Sequence, residues 1–168
     1  ETIFGGVVRP VYVKEVFGDA MSLGLLIAAN GGGAVIGGVI FAAIGHRLPR
    51  HATFVAAFIL AGMQFWVYAA QPTIGVLAAT ILFTSIGAGP LNPIISSVEL
   101  ERVPVDMRGR VFGTVRAGAS LAMPLGMLLG GVLTESFGTF PILIGIGITF
   151  FLTTISMAFI PAMKQMNR

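Results

Sequence analysis

Residues able to do chemistry are few in this sequence and stand far apart. Of 168 residues, ten are Lys or Arg, seven are Asp or Glu, two are His and none is Cys. No thiolate can therefore act as nucleophile or metal ligand. His46 and His51 share one short segment, five apart, with no carboxylate at ligand spacing, so no metal site is expected. No GxxxxGK[ST] run is present to cradle a nucleotide phosphate, and no cofactor is expected. Asp and Glu are missing from the middle of every long apolar stretch, which leaves no visible proton relay. What remains are isolated polar side chains in apolar surroundings: Asn30, Asn92 and Arg116. A buried amide needs a hydrogen-bonding partner. The two asparagines therefore read either as interhelical links or as lining of a pathway. A charge in such a place is costly unless it snorkels, pairs or faces water. Arg116 is thus either a snorkelling cation or a cavity-facing one. This is chemistry of binding and passage, and no enzyme is expected.

The composition says what must hold these residues. Hydrophobic residues make up 55% of the chain and charged residues 10%, against about 25% charged in a typical soluble domain. Mean hydropathy is +0.93. A water-soluble globule lacks the charges to cover its surface, and disorder is excluded by the apolar content. The high pI, about 10.0, comes with a net charge of only +3 and no basic stripe, so nucleic acid is not an expected partner. A bilayer core needs roughly 20 apolar residues per helix. Five stretches qualify: Ala20 to Ile44, Ala52 to Ala70, Pro72 to Val98, Val111 to Leu133 and Phe140 to Ala162. Before them, Thr2 to Val13 is an apolar stub too short to span, which reads as the end of a sixth helix. The chain opens at Glu1 inside an apolar run, IFGGVV, and reads as a piece of a longer chain cut inside a hydrophobic segment. The segments are too long, and alternate too little, for a β-barrel. The fold expected is all-α and polytopic, with the lipid bilayer as a partner.

Connections are short and polar, and cations fall on one set of them. GHRLPRH, ELERVPVDMRGR and the tail hold Arg47, Arg50, Arg102, Arg108, Arg110, Lys164 and Arg168, while the opposite loops hold only Lys14. By the positive-inside rule the first set and the C-terminus face the cytoplasm. Arg108, Gly109 and Arg110 are expected to form a tight cationic turn before the fourth span. Gly33 to Gly45, GAVIGGVIFAAIG, also aligns without gaps on Gly126 to Gly138, GMLLGGVLTESFG. The offset is 93 residues, or three helices. Three is odd, so the copies cross in opposite directions, the signature of an inverted-topology repeat. Gly33 with Gly37, and Gly126 with Gly130, give G-x-x-x-G faces that let another backbone approach. Pro90 and Pro93 in the third span and Pro124 in the fourth should break the backbone ladder and kink it, as hinges can.

GGVIFAAIGHRLPRH resembles the cytoplasmic loop signature of the major facilitator superfamily. The run from Gly89 to Gly131, GPLNPIISSVELERVPVDMRGRVFGTVRAGASLAMPLGMLLGG, is more specific and resembles the drug and siderophore exporter branch, which includes macrolide-efflux permeases. VVRPVYVKEVFG fits the outer end of that family's seventh helix. The resemblance covers essentially the whole chain. It implies the C-terminal half of a twelve-helix transporter, from the end of helix seven through helix twelve, with the N-terminal half missing. It implies proton-driven efflux of small amphipathic molecules across the inner membrane, with much of the proton coupling in the missing half. It also implies a cytoplasmic gate around Gly45, His46, Arg47, Arg50, Arg108, Gly109 and Arg110, and a cavity lined by helices that carry Asn30 and Asn92. Gln64 falls on a helix the family places outside the cavity and is left out of the site. The alternative is a half-length membrane module that scaffolds or dimerises without transporting.

Overall fold

The structure is a computed structural model that describes residues 3–159. The first helical stretch begins with a π-turn, Phe4–Val8, and runs on as α1 (Arg9–Val16). It ends where the Phe17 and Gly18 amides both close on the Val13 carbonyl, at 2.9 and 3.0 Å. Gly18 takes φ +75° there, a value that favours glycine. Asp19 then starts α2 (Ala20–Ile44). Its Oδ1 accepts from the Ser22 amide and its Oδ2 from the Ser22 hydroxyl, both at 2.7 Å. These bonds, the hydroxyl one foremost, hold the Asp19 carboxyl below its usual range. The cap supplies an acceptor to an amide that has no partner inside the helix.

The remaining helices are α3 (Arg50–Ala69), α4 (Ile74–Ala88), α5 (Leu91–Arg102), α6 (Arg108–Phe137) and α7 (Thr139–Phe159). α4 and α5 form one span, broken at Gly89–Pro90 as the prolines require. Among the described residues five helical segments are long and apolar enough to cross a membrane, and the chain is a multi-pass membrane protein. Their outer faces are apolar: Val35, Phe83 and Leu128 are each 67% exposed, which water would penalise and lipid does not. Hydroxyls inside the spans bond back to their own helix, as Thr84 to the Thr80 carbonyl (3.0 Å) and Thr154 to that of Phe150 (2.8 Å). On a lipid-facing side such a group has no water to turn to.

Three expectations need correction. The cationic turn before the fourth span is not a turn: Arg108, Gly109 and Arg110 already belong to α6. The chain reverses earlier, at Val103–Met107, where Pro104 holds an extended backbone ahead of a short 3-10 turn. Arg50 is not a loop residue but opens α3, because Pro49 ends the loop and presets helix entry. Pro124 does not interrupt α6, which continues through it as one helix. A proline removes only one ladder bond, and a long membrane helix tolerates that. The tail with Lys164 and Arg168, and the end of the fifth span at Ala162, lie outside the described residues.

The helices pair by the logic of the repeat. α2 packs most closely on α4, α3 packs on α4 and on α7, and α6 packs on the π-turn at the chain start and on α7. The middle helix of each three-helix unit thus meets the first helix of the other, and the two third helices meet each other. The core gathers Phe4, Tyr12, Phe65 and Tyr68 in edge-on ring contacts, with Leu26, Leu77, Ile81 and Leu143 around them.

Candidate functional site

Glycine sets how closely α2 and α4 cross. A Cβ on Gly33 would lie 2.6 Å from the Leu82 carbonyl oxygen, and one on Gly37 would strike the Ile86 carbonyl. A Cβ on Gly89 would lie 2.6 Å from the Gly37 Cα. Backbone here rests on backbone, the close approach the G-x-x-x-G spacing calls for. At the equivalent place on α6, Gly130 faces side chains instead, with Ile3 Cγ2 2.8 Å from its notional Cβ, and Gly126 is half-buried.

Beside this crossing lies a polar cavity of about 270 Å³. Asn30 on α2, Gln64 on α3, Thr84 and Ser85 on α4, and Asn92 on α5 all line it. Asn30 Nδ2 donates to Ser85 Oγ at 2.9 Å. Gly89 also lines it, and Pro93 has no N–H to offer the Gly89 carbonyl. The structure therefore brings Asn30 and Asn92 together. It adds Gln64, which sequence reasoning left out. Gln64 is 7% exposed, and its Oε1 has no hydrogen-bond partner. The signal was present, since Gln64 is the one amide in an otherwise apolar helix. Arg116 does not join them. It stands on the exposed face of α6, eight residues past the start of that helix, and makes no hydrogen bond or ion pair among the described residues. Eight residues are about 12 Å of helix, deeper than in the expected span, which begins at Val111.

A second polar cluster occupies the end of the bundle where α3 begins and α5 ends. Arg50 donates from one Nη to both oxygens of Glu101, at 2.8 and 2.9 Å, and the two side chains are 43% and 54% exposed. Arg108 reaches back from α6 and donates to the carbonyls of Leu100 (2.7 Å) and Val103 (3.2 Å). It thereby caps α5, where a cation suits the helix dipole. Arg47 Nε donates to His46 Nε2 at 3.2 Å. Gly45 sits where a Cβ would meet the Phe41 ring at 2.9 Å. Arg47 and Arg110 pair with no carboxylate among the described residues.

Arg9 is a third polar feature, which the sequence reading passed over. It is 7% exposed, with its guanidinium carbon 4.9 Å above the centre of the Phe4 ring. Its Nε and the hydroxyls of Tyr12 and Tyr68 are buried without a hydrogen-bond partner. A cation inside the run IFGGVVRPVYV was the available signal. Among the described residues no cluster of three or more His, Asp or Glu could hold a metal ion.

Residues 1–166 match the family model described as Major Facilitator Superfamily. The multidrug efflux pump Tap of Mycobacterium tuberculosis (strain ATCC 25618 / H37Rv) is 29% identical over 147 residues, which is 88% of this chain and 35% of that protein. Tap of Mycolicibacterium fortuitum is 26% identical over 149 residues, 89% and 36% respectively. The uncharacterized MFS-type transporter YwfA of Bacillus subtilis (strain 168) is 30% identical over 135 residues, 74% and 31% respectively. The chain spans about a third of the length of the curated relatives it matches. No solved structure matches it.

Proposed function

The chain belongs to the Major Facilitator Superfamily, and on that premise we propose that it is the C-terminal half of a twelve-helix permease, from the end of helix seven through helix twelve. The permease exports small amphipathic molecules by alternating access. The observation that carries this reading is the helix pairing across the repeat, α2 on α4 and α6 on the chain's first helical stretch. Two interlocked units of opposite direction make a bundle that can rock as a body against a second bundle. Relatives named multidrug efflux pumps support the direction of transport.

In this reading Asn30 and Asn92 line the pathway, and Arg116 meets an anionic group or a carboxylate of the N-terminal half. Arg47 and Arg110, which pair with no carboxylate among the described residues, close the cytoplasmic side against that half. The Gly89–Pro90 break is the hinge. The protein sits in the inner membrane with its basic loops and C-terminus in the cytoplasm. A proton gradient drives it. No Asp or Glu lies mid-span here, so the coupling carboxylates belong to the N-terminal half.

The test is accumulation of N-phenyl-1-naphthylamine (neutral) and 8-anilino-1-naphthalenesulfonate (anionic) in an efflux-deficient bacterium expressing the whole protein. Expression should lower accumulation, and a protonophore should restore it. Accumulation equal to that of empty-vector cells would overturn the efflux reading. Lowered accumulation that a protonophore leaves unchanged would overturn the proton coupling.

A further inference from the structure

We propose that the cavity between α2, α3 and the α4–α5 break binds a neutral hydrogen-bond donor, a hydroxyl or an amide N–H, and that Gln64 is the residue that selects it. Gln64 is nine-tenths buried on the cavity wall, and its Oε1, an acceptor, has no hydrogen-bond partner. A buried acceptor left unmet is costly, and lipid offers it no donor. The Gly89 carbonyl, at the break on the same wall, is a second acceptor short of a donor. The residue four places on is Pro93, which has no N–H. Two nearby donors are committed elsewhere. The Thr84 hydroxyl donates to the carbonyls of Thr80 and Ile81, at 3.0 and 3.1 Å, and Asn30 Nδ2 donates to Ser85 Oγ at 2.9 Å.

Charge narrows the ligand further. Among the described residues no Asp, Glu, Lys, Arg or His lines the cavity. An ion entering it would leave water and gain no counter-charge. A hydroxyl or amide instead exchanges its hydrogen bonds to water for bonds to the wall. Asn92 lines the cavity as well, and its N–H groups can answer an acceptor on the same ligand. A polar cavity of about 270 Å³ has room for several waters or for the polar end of a small molecule. Water can meet the same acceptors, so a ligand keeps those bonds only where its own donor replaces the water's. A ligand of similar shape without a donor displaces the water and leaves Oε1 unmet. Gln64 stands on the helix that the family resemblance sets outside the cavity, so this role is not one the resemblance implies. Calling the ligand cargo rests on the permease reading, but the hydrogen bonding of the cavity does not.

The test uses the whole protein in nanodiscs. Binding of 1-naphthol and of 1-methoxynaphthalene is measured by equilibrium dialysis, with uptake by empty nanodiscs subtracted. The two probes share an aromatic body, and only the first donates a hydrogen bond. 1-Naphthol should bind about tenfold more tightly. Gln64→Leu, which removes the acceptor and keeps an apolar side chain, should bring the ratio of the two affinities close to one. Binding of the cation 1-naphthylmethylammonium, wherever it occurs in the whole protein, should not respond to Gln64→Leu. Gln64→Met repeats the test where Gln64→Leu does not fold, and where neither folds the ratio in the unaltered protein decides alone. Four results would overturn the proposal: equal affinities in the unaltered protein, tighter binding of the methylated probe, a preference that survives Gln64→Leu, or loss of the cation alongside 1-naphthol. A fifth, no binding of either neutral probe, would leave a cavity for water only and overturn it too. Because no transport is measured, failure here leaves the efflux reading standing, and failure of efflux leaves the binding ratio interpretable.

Discussion

Replacing Gly37 by Ala adds one methyl group at the tightest point of the bundle. That carbon would fall on the Ile86 carbonyl, and 3.0 Å from the Ile86 Cα. The neighbouring Gly33 site is similar, at 2.6 Å from a carbonyl oxygen, where comfortable contacts between non-bonded heavy atoms are about 3.5 Å. Backbone cannot rotate away, so α2 and α4 must part by roughly 1 Å. Overpacking of this kind costs about 1–3 kcal/mol. The Asn30–Ser85 bond, 2.9 Å before the change, stretches with it, and loss of a membrane hydrogen bond adds about 0.6 kcal/mol. Against this, Ala is the better helix former by about 0.5–1 kcal/mol. The net expectation is a loss of about 0.5–3 kcal/mol. Gly38→Ala is the control: nothing lies within 4 Å of its notional Cβ, so only the helix-propensity gain remains. Reversible unfolding in mixed micelles, titrated with dodecyl sulfate, measures both. Equal stability of the two variants, or a stable Gly37→Ala, would refute the claim that backbone contact sets this crossing.

Other expectations follow from particular contacts. The half-exposed Arg50–Glu101 pair should couple by no more than about 1 kcal/mol in a double-mutant cycle, and the coupling should shrink as salt is added. Asp19 has its folded-state pKa lowered by Ser22, so its capping contribution is present above the unfolded carboxylate pKa. That contribution is lost as pH falls through the folded one. Asp19→Asn should therefore flatten the acid limb of a stability–pH curve measured by thermal unfolding. Arg47→Ala should lower transport of the whole protein more than it lowers membrane insertion, read by surface labelling alongside efflux. Equal losses would reduce Arg47 to a topology signal.

The spans were legible in the sequence because lipid demands a fixed length of apolar helix. The repeat was legible because Gly33 and Gly37 recur as Gly126 and Gly130. The facing of the helices was not legible. In a soluble protein a polar outer face tells which side is buried, but here lipid and core are equally apolar. The single amide of α3 marks Gln64 as inward-facing, but nothing in the sequence places it on the same cavity as Asn30. Likewise Gly89 gives no sign that it meets Gly37. The partner of Arg108 was hidden for a different reason. It bonds two carbonyls, and backbone acceptors leave no trace in residue identity. The family resemblance sets α3 outside the cavity, whereas the lone amide in that helix marks Gln64 as a polar contact of the bundle.

The most direct test of the account is efflux from cells that produce this chain alone, the N-terminal half of the permease alone, or both together. The account predicts that the chain inserts into the membrane by itself and does not export either naphthalene probe, and that export returns when both halves are present. Export by the chain alone, or by the N-terminal half alone, would contradict it.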